Sequence, residues 1–237
     1  VNTTVAKDQE RPSVTALSDG GWLVSWQSME QDGDGWGIYQ QRYTAAGLAT
    51  GGEVRVNATV TNDQQRPSIT ALSDGGWLVS WDSFDVDSGR VQIFQRRYTA
   101  AGVATDVEVQ VSTIAGSLPS VTCLRDGGWL MSWQSGDQDI SGIFQRRFDA
   151  NGAATGDDIQ VNAYSADSQY YPSVTALSDG GWLVCWMSWD QDGDRFGIFQ
   201  RRYDAIGATA GADIQVNVAT VDDQMFPSVT ALSDGGW

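Results

Sequence analysis

From Ser13 the chain alternates polar or small residues with apolar ones as far as Leu17 (SVTAL), breaks at Ser18-Asp19-Gly20-Gly21, and resumes at Trp22 as WLVSWQ. Alternation over five or six residues marks a half-buried strand, and Asp and Gly tolerate the positive φ of a tight turn, so the two stretches predict a β-hairpin. Within the second strand Trp22, Val24 and Trp26 share one face while Leu23 and Ser25 share the other. Both faces are largely apolar, the pattern of a sheet packed between two neighbours.

A third strand is predicted over Gly37–Tyr43 (GIYQQRY), and a fourth over Glu53–Asn57 (EVRVN). Both patterns return: IFQRRY starts at Ile93 and Ile198, IFQRRF at Ile143, VEVQV at Val107, and DIQVN at Asp158 and Asp213. The hairpin returns too, with Ser-Asp-Gly-Gly-Trp at Ser18, Ser73, Ser178 and Ser233 and the variant Arg-Asp-Gly-Gly-Trp at Arg125. Measured between Pro12, Pro67, Pro119, Pro172 and Pro227, the period is 55, 52, 53 and 55 residues. Four short antiparallel strands in a period of that length, with no helical stretch, is the anatomy of a propeller blade. The predicted fold is therefore an all-β propeller, one repeat domain over 1–237 with blades starting near 11, 66, 118, 171 and 226. Because Val216–Trp237 repeats the phase of Val1–Trp22, residues 1–10 offer a spare outer strand and 226–237 a spare inner one. A ring of five blades, the last incomplete in this chain, is expected, with four as the alternative. The repeated indoles are expected to wedge between successive blades, each burying on the order of 200 Å².

Composition narrows the partners. Thirty acidic residues against fourteen basic ones give a formal charge of -16. That field repels phosphate backbones and anionic lipid, so nucleic acid and membrane surfaces are not expected partners. No apolar run reaches the length that spans a bilayer, so no membrane insertion is expected. Cys123 replaces the Ala of other copies and Cys185 their Ser, so two free thiols are expected rather than a disulfide.

The most polar and most variable stretch lies between the second and third strands. There carboxylates recur at alternate positions beside Gly: Glu30, Asp32 and Asp34, then Asp85 and Asp87, then Asp137 and Asp139, then Asp190, Asp192 and Asp194. Oxygens spaced in this way can surround one calcium ion, so calcium is the expected cofactor and these residues its candidate ligands, the first and fourth loops being the fullest. The competing reading is a solvated acidic hairpin tip. The same loops carry Trp36, Phe84, Trp189 and Phe196, together with Arg195. Rings beside carboxylates and a guanidinium suit stacking on a sugar face, which makes these five the candidate ligand-binding residues. Their alternative is to cap the core.

Catalysis is not expected. The chain has no His, which removes Ser-His-Asp and Cys-His arrangements and His-ligated zinc, and its prominent carboxylates belong to repeated columns. With PSVTALSDGGWLVSW, QDGDGWGIYQQRYTAAG and GEVRVN set end to end, the chain resembles repeats of large secreted bacterial adhesin-type proteins that occur beside hemolysin-type calcium-binding segments. That resemblance implies export, calcium-rich surroundings and adhesion. The combined expectation is a secreted, multivalent, carbohydrate-binding or adhesive module whose partners are glycans or cell-surface and matrix components. The alternative is a structural repeat of a calcium-dependent adhesin. Unpaired strands at the two ends add self-association as a further expectation.

Overall fold

A computed structural model describes residues 1–86, 89–137 and 140–237. The described chain is all-β: sixteen strands form four sheets of four antiparallel strands each, the β-propeller blade repeated four times. Blade 1 comprises β1 (Gln9–Ala16), β2 (Trp22–Met29), β3 (Trp36–Tyr43) and β4 (Ala49–Arg55); blade 2 comprises β5 (Gln64–Ala71), β6 (Trp77–Asp85), β7 (Arg90–Tyr98) and β8 (Val109–Gln110). Blade 3 comprises β9 (Ser117–Cys123), β10 (Trp129–Asp137), β11 (Ile140–Phe148) and β12 (Ile159–Gln160), and blade 4 comprises β13 (Gln169–Ala176), β14 (Trp182–Trp189), β15 (Phe196–Tyr203) and β16 (Ile214–Gln215). Strands follow one another across each sheet in chain order. The four complete blades match the lower of the two expected numbers, since 226–237 forms no ladder of its own. The chain divides into two compact units, Val1–Pro119 and Ser120–Trp237.

The hairpin turn forms as its residues dictate. Gly20 takes φ 83°, and a Cβ on the next glycine, Gly21, would lie 2.3 Å from the Tyr43 carbonyl oxygen, so both glycines are required. Asp19 accepts the Gly21 N–H at 2.9 Å, and its other oxygen meets Arg42 of β3 at 2.6 Å. The same turn is tied in the same way by Arg97 to Asp74, Arg147 to Asp126, and Arg202 to Asp179.

Blade contacts repeat as faithfully as the turns. In the first unit Trp77 of blade 2 stacks on its own Tyr98 at 5.5 Å, lies under Arg42 of blade 1 at 5.5 Å, and donates its indole N–H to Gln40 Oε1 at 2.9 Å. Leu17, Leu23, Ile38 and Val56 of blade 1 form one core with Ile69, Trp77, Val79 and Trp81 of blade 2. In the second unit Trp182 of blade 4 repeats the arrangement against blade 3, under Arg147 at 5.6 Å and bonded to Gln145 Oε1 at 3.0 Å. The tail repeats it once more against blade 4: Trp237 bonds Gln200 Oε1 at 3.0 Å beneath Arg202, while Val229 and Ala231 pack on Leu177, Leu183 and Cys185. The expected wedge role of the indoles is therefore observed, and Trp77, Trp129 and Trp182 are all buried. Both cysteines are free thiols.

Two expectations on strand length need correction. The first strand of blade 1 begins at Gln9 rather than Ser13, and in blades 1, 2 and 4 the ladder shifts register across a residue of positive φ just before the proline, Arg11, Arg66 and Tyr171. The fourth strand shrinks to two residues in blades 2 to 4, where Val111, Val161 and Val216 keep a backbone bond to the third strand but the Ser or Asn that follows meets it through its side chain. In blade 1 Val56 N–H still bonds Ile38 at 2.7 Å, but Asn57 then supplies its side-chain oxygen to the Ile38 N–H at 2.8 Å in place of a backbone carbonyl. The Asn57 amide donates onward to Gln64, the first residue of blade 2, at 2.8 Å.

Candidate functional site

In blades 1 and 4 the loop between the second and third strands hangs from a hairpin whose ends are locked by a backbone bond. In blade 1 Glu30 N–H bonds Gly35 O at 2.6 Å, and in blade 4 Asp190 N–H bonds Arg195 O at 2.6 Å. Both loops turn through residues of positive φ, Glu30, Gly33 and Gly35 in one and Asp190, Gly193 and Arg195 in the other.

The acidic candidates are not gathered round a common point. Among the described residues no three His, Cys, Asp or Glu side chains converge as a metal-holding group. Asp32 folds inward over Gly37, where a Cβ would lie 2.4 Å from its Oδ2, and accepts the Asn57 amide at 3.1 Å. Asp192 does the same over Gly197, accepting Asn217 at 3.1 Å and Gln215 at 3.2 Å. Asp34 caps the Asn62 N–H and Asp194 the Asp222 N–H, tying each loop to the link that follows its blade. Glu30 pairs with Lys7 at 3.1 Å. Asp85 ends β6 opposite Arg90, and Asp137 ends β10 opposite Ile140. Asp87 and Asp139 lie outside the described residues. Asp32 Oδ1 with the side-chain Oε1 of Gln31, and Asp192 Oδ1 with Oε1 of Gln191, are buried acceptors with no hydrogen-bond donor, the oxygen type that a cation takes. Asp32 also helps push the Tyr39 hydroxyl up to about 12, after burial itself.

The aromatic candidates separate by blade. Trp36 is half-buried, its backbone N–H held by Asp63 at 3.0 Å, and Phe84 stands exposed alone on blade 2. Blade 4 builds a cluster. Trp189 is 41% exposed, and Phe196, its cross-strand partner, meets it edge-on at 4.8 Å and Tyr170 at 5.9 Å. Beside them Arg195 extends into solvent within 3.6 Å of Asp222 and 3.5 Å of Asp223. Blade 4 thus presents a partly exposed indole, a ring packed edge-on against it, and a guanidinium beside two carboxylates.

Asp82 was missed by sequence reasoning. It occupies the column of Gln27, Gln134 and Met187, so it is an acid that the repeat does not share. It is buried, accepts two bonds from Arg66 at 3.1 and 3.2 Å, and takes the Leu118 N–H at 2.9 Å. Burial pushes its carboxyl up, against the pull of Arg66. A charged residue inside an otherwise apolar and amide column was the available signal.

No family model and no curated protein matches the chain. Solved structures do. A Penicillium chrysogenum α-L-arabinanase complexed with arabinobiose is similar with a TM-score of 0.65 at 15% identity, over 94% of this chain and 70% of that one. An α-L-arabinofuranosidase from Fusarium graminearum, bound to an iminosugar inhibitor, aligns at 0.64 and 12% identity over 88% and 66%. A thermostable family-43 glycoside hydrolase aligns at 0.59 and 12% identity over 99% and 83%. At these identities the likeness is one of fold, and the fold is a propeller. It nevertheless overturns the expectation that catalysis is absent: this architecture carries glycoside hydrolases, and Asp82 breaks the premise that every prominent carboxylate is repeated. None of the three is an adhesin.

Proposed function

We propose that the protein binds carbohydrate chains through the blade 4 surface formed by Trp189, Phe196, Tyr170 and Arg195. The observation that carries this reading is the solvent-open indole of Trp189 held edge-on by Phe196, beside a charged fringe. A flat ring presented in this way stacks on the C–H face of a pyranose or furanose while the polar fringe meets its hydroxyls. Structural neighbours solved with arabinobiose and with an iminosugar inhibitor support carbohydrate as the ligand class. The test is tryptophan fluorescence titrated with arabinobiose, cellotriose and a wider glycan panel. A saturable change with at least one of them, lost in Trp189→Ala, is expected; flat titrations throughout overturn the reading.

Hydrolysis of a carbohydrate chain met by the first unit is a second reading, favoured by Asp82. Glycoside hydrolysis needs one carboxyl group that keeps its proton and a second that stays ionised. Burial pushes the Asp82 carboxyl up against the pull of Arg66, and Glu10 reaches the same neighbourhood through Gln27, which donates to Glu10 at 3.3 Å and accepts the Arg66 N–H at 2.9 Å. Reducing-sugar release from arabino-oligosaccharides, abolished by Asp82→Asn, is the expected result, and no release from the unaltered protein removes this reading.

Calcium belongs to the same proposal. The four buried acceptor oxygens of Gln31, Asp32, Gln191 and Asp192 are of the type that calcium takes, and bound calcium would hold both loops. A melting temperature that rises with millimolar calcium and loses the rise in a variant carrying Asp32→Asn and Asp192→Asn is expected; identical melting with calcium and with chelator contradicts it.

A further inference from the structure

Residues 7–36 of blade 1 and 167–196 of blade 4 align without a gap, so each position of one loop has a counterpart in the other. The structure keeps the correspondence. The Gln9 amide bonds the Lys7 carbonyl oxygen and the Gln169 amide that of Asp167, while Met29 N–H bonds Asp8 O at 2.9 Å and Trp189 N–H bonds Ser168 O at 3.0 Å. Lys7 therefore corresponds to Asp167, Met29 to Trp189 and Glu30 to Asp190. In blade 1 the loop acid is neutralised, because the Lys7 ammonium meets Glu30 at 3.1 Å. In blade 4 the lysine is replaced by an aspartate, and among the described residues no cation pairs with Asp167 or Asp190.

The unpaired acids lie beside the partly exposed indole. Asp190 follows Trp189 directly, and Asp167 precedes the Ser168 that holds the Trp189 backbone. Tyr164 connects the two. Its hydroxyl donates to Asp167 at 2.6 Å and is pushed up by that bond first, then by burial and by the charges of Asp167 and Asp190, so the Asp190 carboxylate lies in range of the same hydroxyl. The loop's own cation, Arg195, is turned to Asp222 and Asp223 at 3.6 and 3.5 Å.

We propose that the blade 4 surface takes chains of amino sugars, whose ammonium group fills beside Asp167 and Asp190 the place that the Lys7 side chain fills in blade 1. This inference rests on the reading of Trp189 as a sugar-stacking ring and adds which sugar is chosen. The C–H face of the sugar lies on the indole, and the ammonium, with three donors and no acceptor, bonds the two carboxylates and is drawn further by the negative face of the ring. A neutral chain stacks on the same indole but leaves both carboxylates without a counter-charge. A uronic acid chain is repelled by them.

The test is isothermal titration calorimetry in mildly acidic, low-salt buffer, where the sugar amine is protonated. Three probes are compared: a β-1,4-linked glucosamine tetramer, its N-acetylated form, in which the same chain has lost its charge, and a uronic acid tetramer. The amine form is expected to bind about tenfold tighter or more than the acetylated form, with an advantage that shrinks as salt is added, and the uronic acid form to give no heat of binding. Asp167→Lys, which rebuilds the blade 1 pair, and Asp167→Asn, which removes the charge while keeping an acceptor for Tyr164, are both expected to bring the amine and acetylated tetramers to nearly equal affinity. Equal binding of these two tetramers by the unaltered protein, or a preference that survives both variants, overturns the choice of amino sugar and leaves stacking on Trp189 in place. Ethanolamine bound as tightly as the glucosamine tetramer also overturns it, since the surface then reads charge alone. No binding of any of the sugars overturns this inference and the stacking reading together.

Discussion

Val14 in blade 1 and Ile69 in blade 2 occupy the same point of the repeat, in strands of nearly the same sequence, and differ tenfold in exposure, 65% against 6%. Trp22 and Trp77 show the same contrast. Each stacks on its own tyrosine at 5.5 Å, but Trp77 is 2% exposed under Arg42 while Trp22 stays half-buried. Local sequence therefore makes the hairpin and the stacked ring. Burial comes from the neighbouring blade, which brings the Gln and Arg that finish the joint. A repeat of this kind is held by its interfaces more than by any one unit.

The largest effect that separates the two positions is expected from introducing a charge. Ile69→Asp places a carboxylate in the core between blades 1 and 2 and should cost about 4 kcal/mol or more, whereas Val14→Asp should stay within about 0.5 kcal/mol, both read by urea denaturation. Equal losses would show that blade 1 is as enclosed as blade 2. Next come the indoles. Trp77→Ala removes a fully buried ring and is expected to cost about 3–5 kcal/mol; Trp22→Ala should cost roughly half of that or less, because its ring is partly in water already.

The tail offers a chemical reporter. Cys185 lies beneath Val229 and Ala231, and burial pushes its thiol up to about 11. Val229→Asp should unseat the tail and raise the labelling rate of Cys185 about tenfold or more, while Cys123 labels as before. An unchanged Cys185 rate would mean that the tail does not cover blade 4.

The smallest effects concern pH, and two groups act in opposite senses. Asp82 has its folded value raised by burial, so its contribution to stability is complete below the unfolded value of about 3.9 and is lost as pH rises through the folded value. Asp82→Asn should remove that decline. Asp19 and Asp179 are held down by the Gly21 and Gly181 N–H groups and by Arg42 and Arg202, so their contribution is present above about 3.9 and is lost on acidification. Asp19→Asn should flatten the acid limb slightly, in a melting series between pH 2 and 6. Limbs of the reverse sign would contradict these assignments.

Much of this was readable in the residues. Asp-Gly-Gly-Trp announces its turn because two glycines and a capping carboxylate leave the backbone little choice, and alternation around Trp22 and Trp26 announces a sheet covered on both sides. Where sequence misled, a side chain was replacing backbone or a glycine was leaving room. Asn57 ends the fourth strand by standing in for a carbonyl, which no hydropathy pattern reveals. Asp32 and Asp192 read as outward ligands in an alternating loop, yet Gly37 and Gly197 lack the Cβ that would keep them out, so both fold inward. Asp82 was legible as a departure from its column, but repetition drew attention to the shared acids. Clustering of Trp189 with Tyr170 depends on the register of three strands and could not be read from the loop alone.

The joint itself can be tested by hydrogen exchange of the indole N–H groups, followed by NMR in dilute solution with signals assigned from single Trp→Phe variants. The indole protons of Trp77 and Trp182, bonded to Gln40 and Gln145 in the preceding blades, are expected to exchange far more slowly than that of Trp22. A Trp77 or Trp182 proton that exchanges as fast as that of Trp22 would contradict the blade-to-blade joint on which the architecture rests.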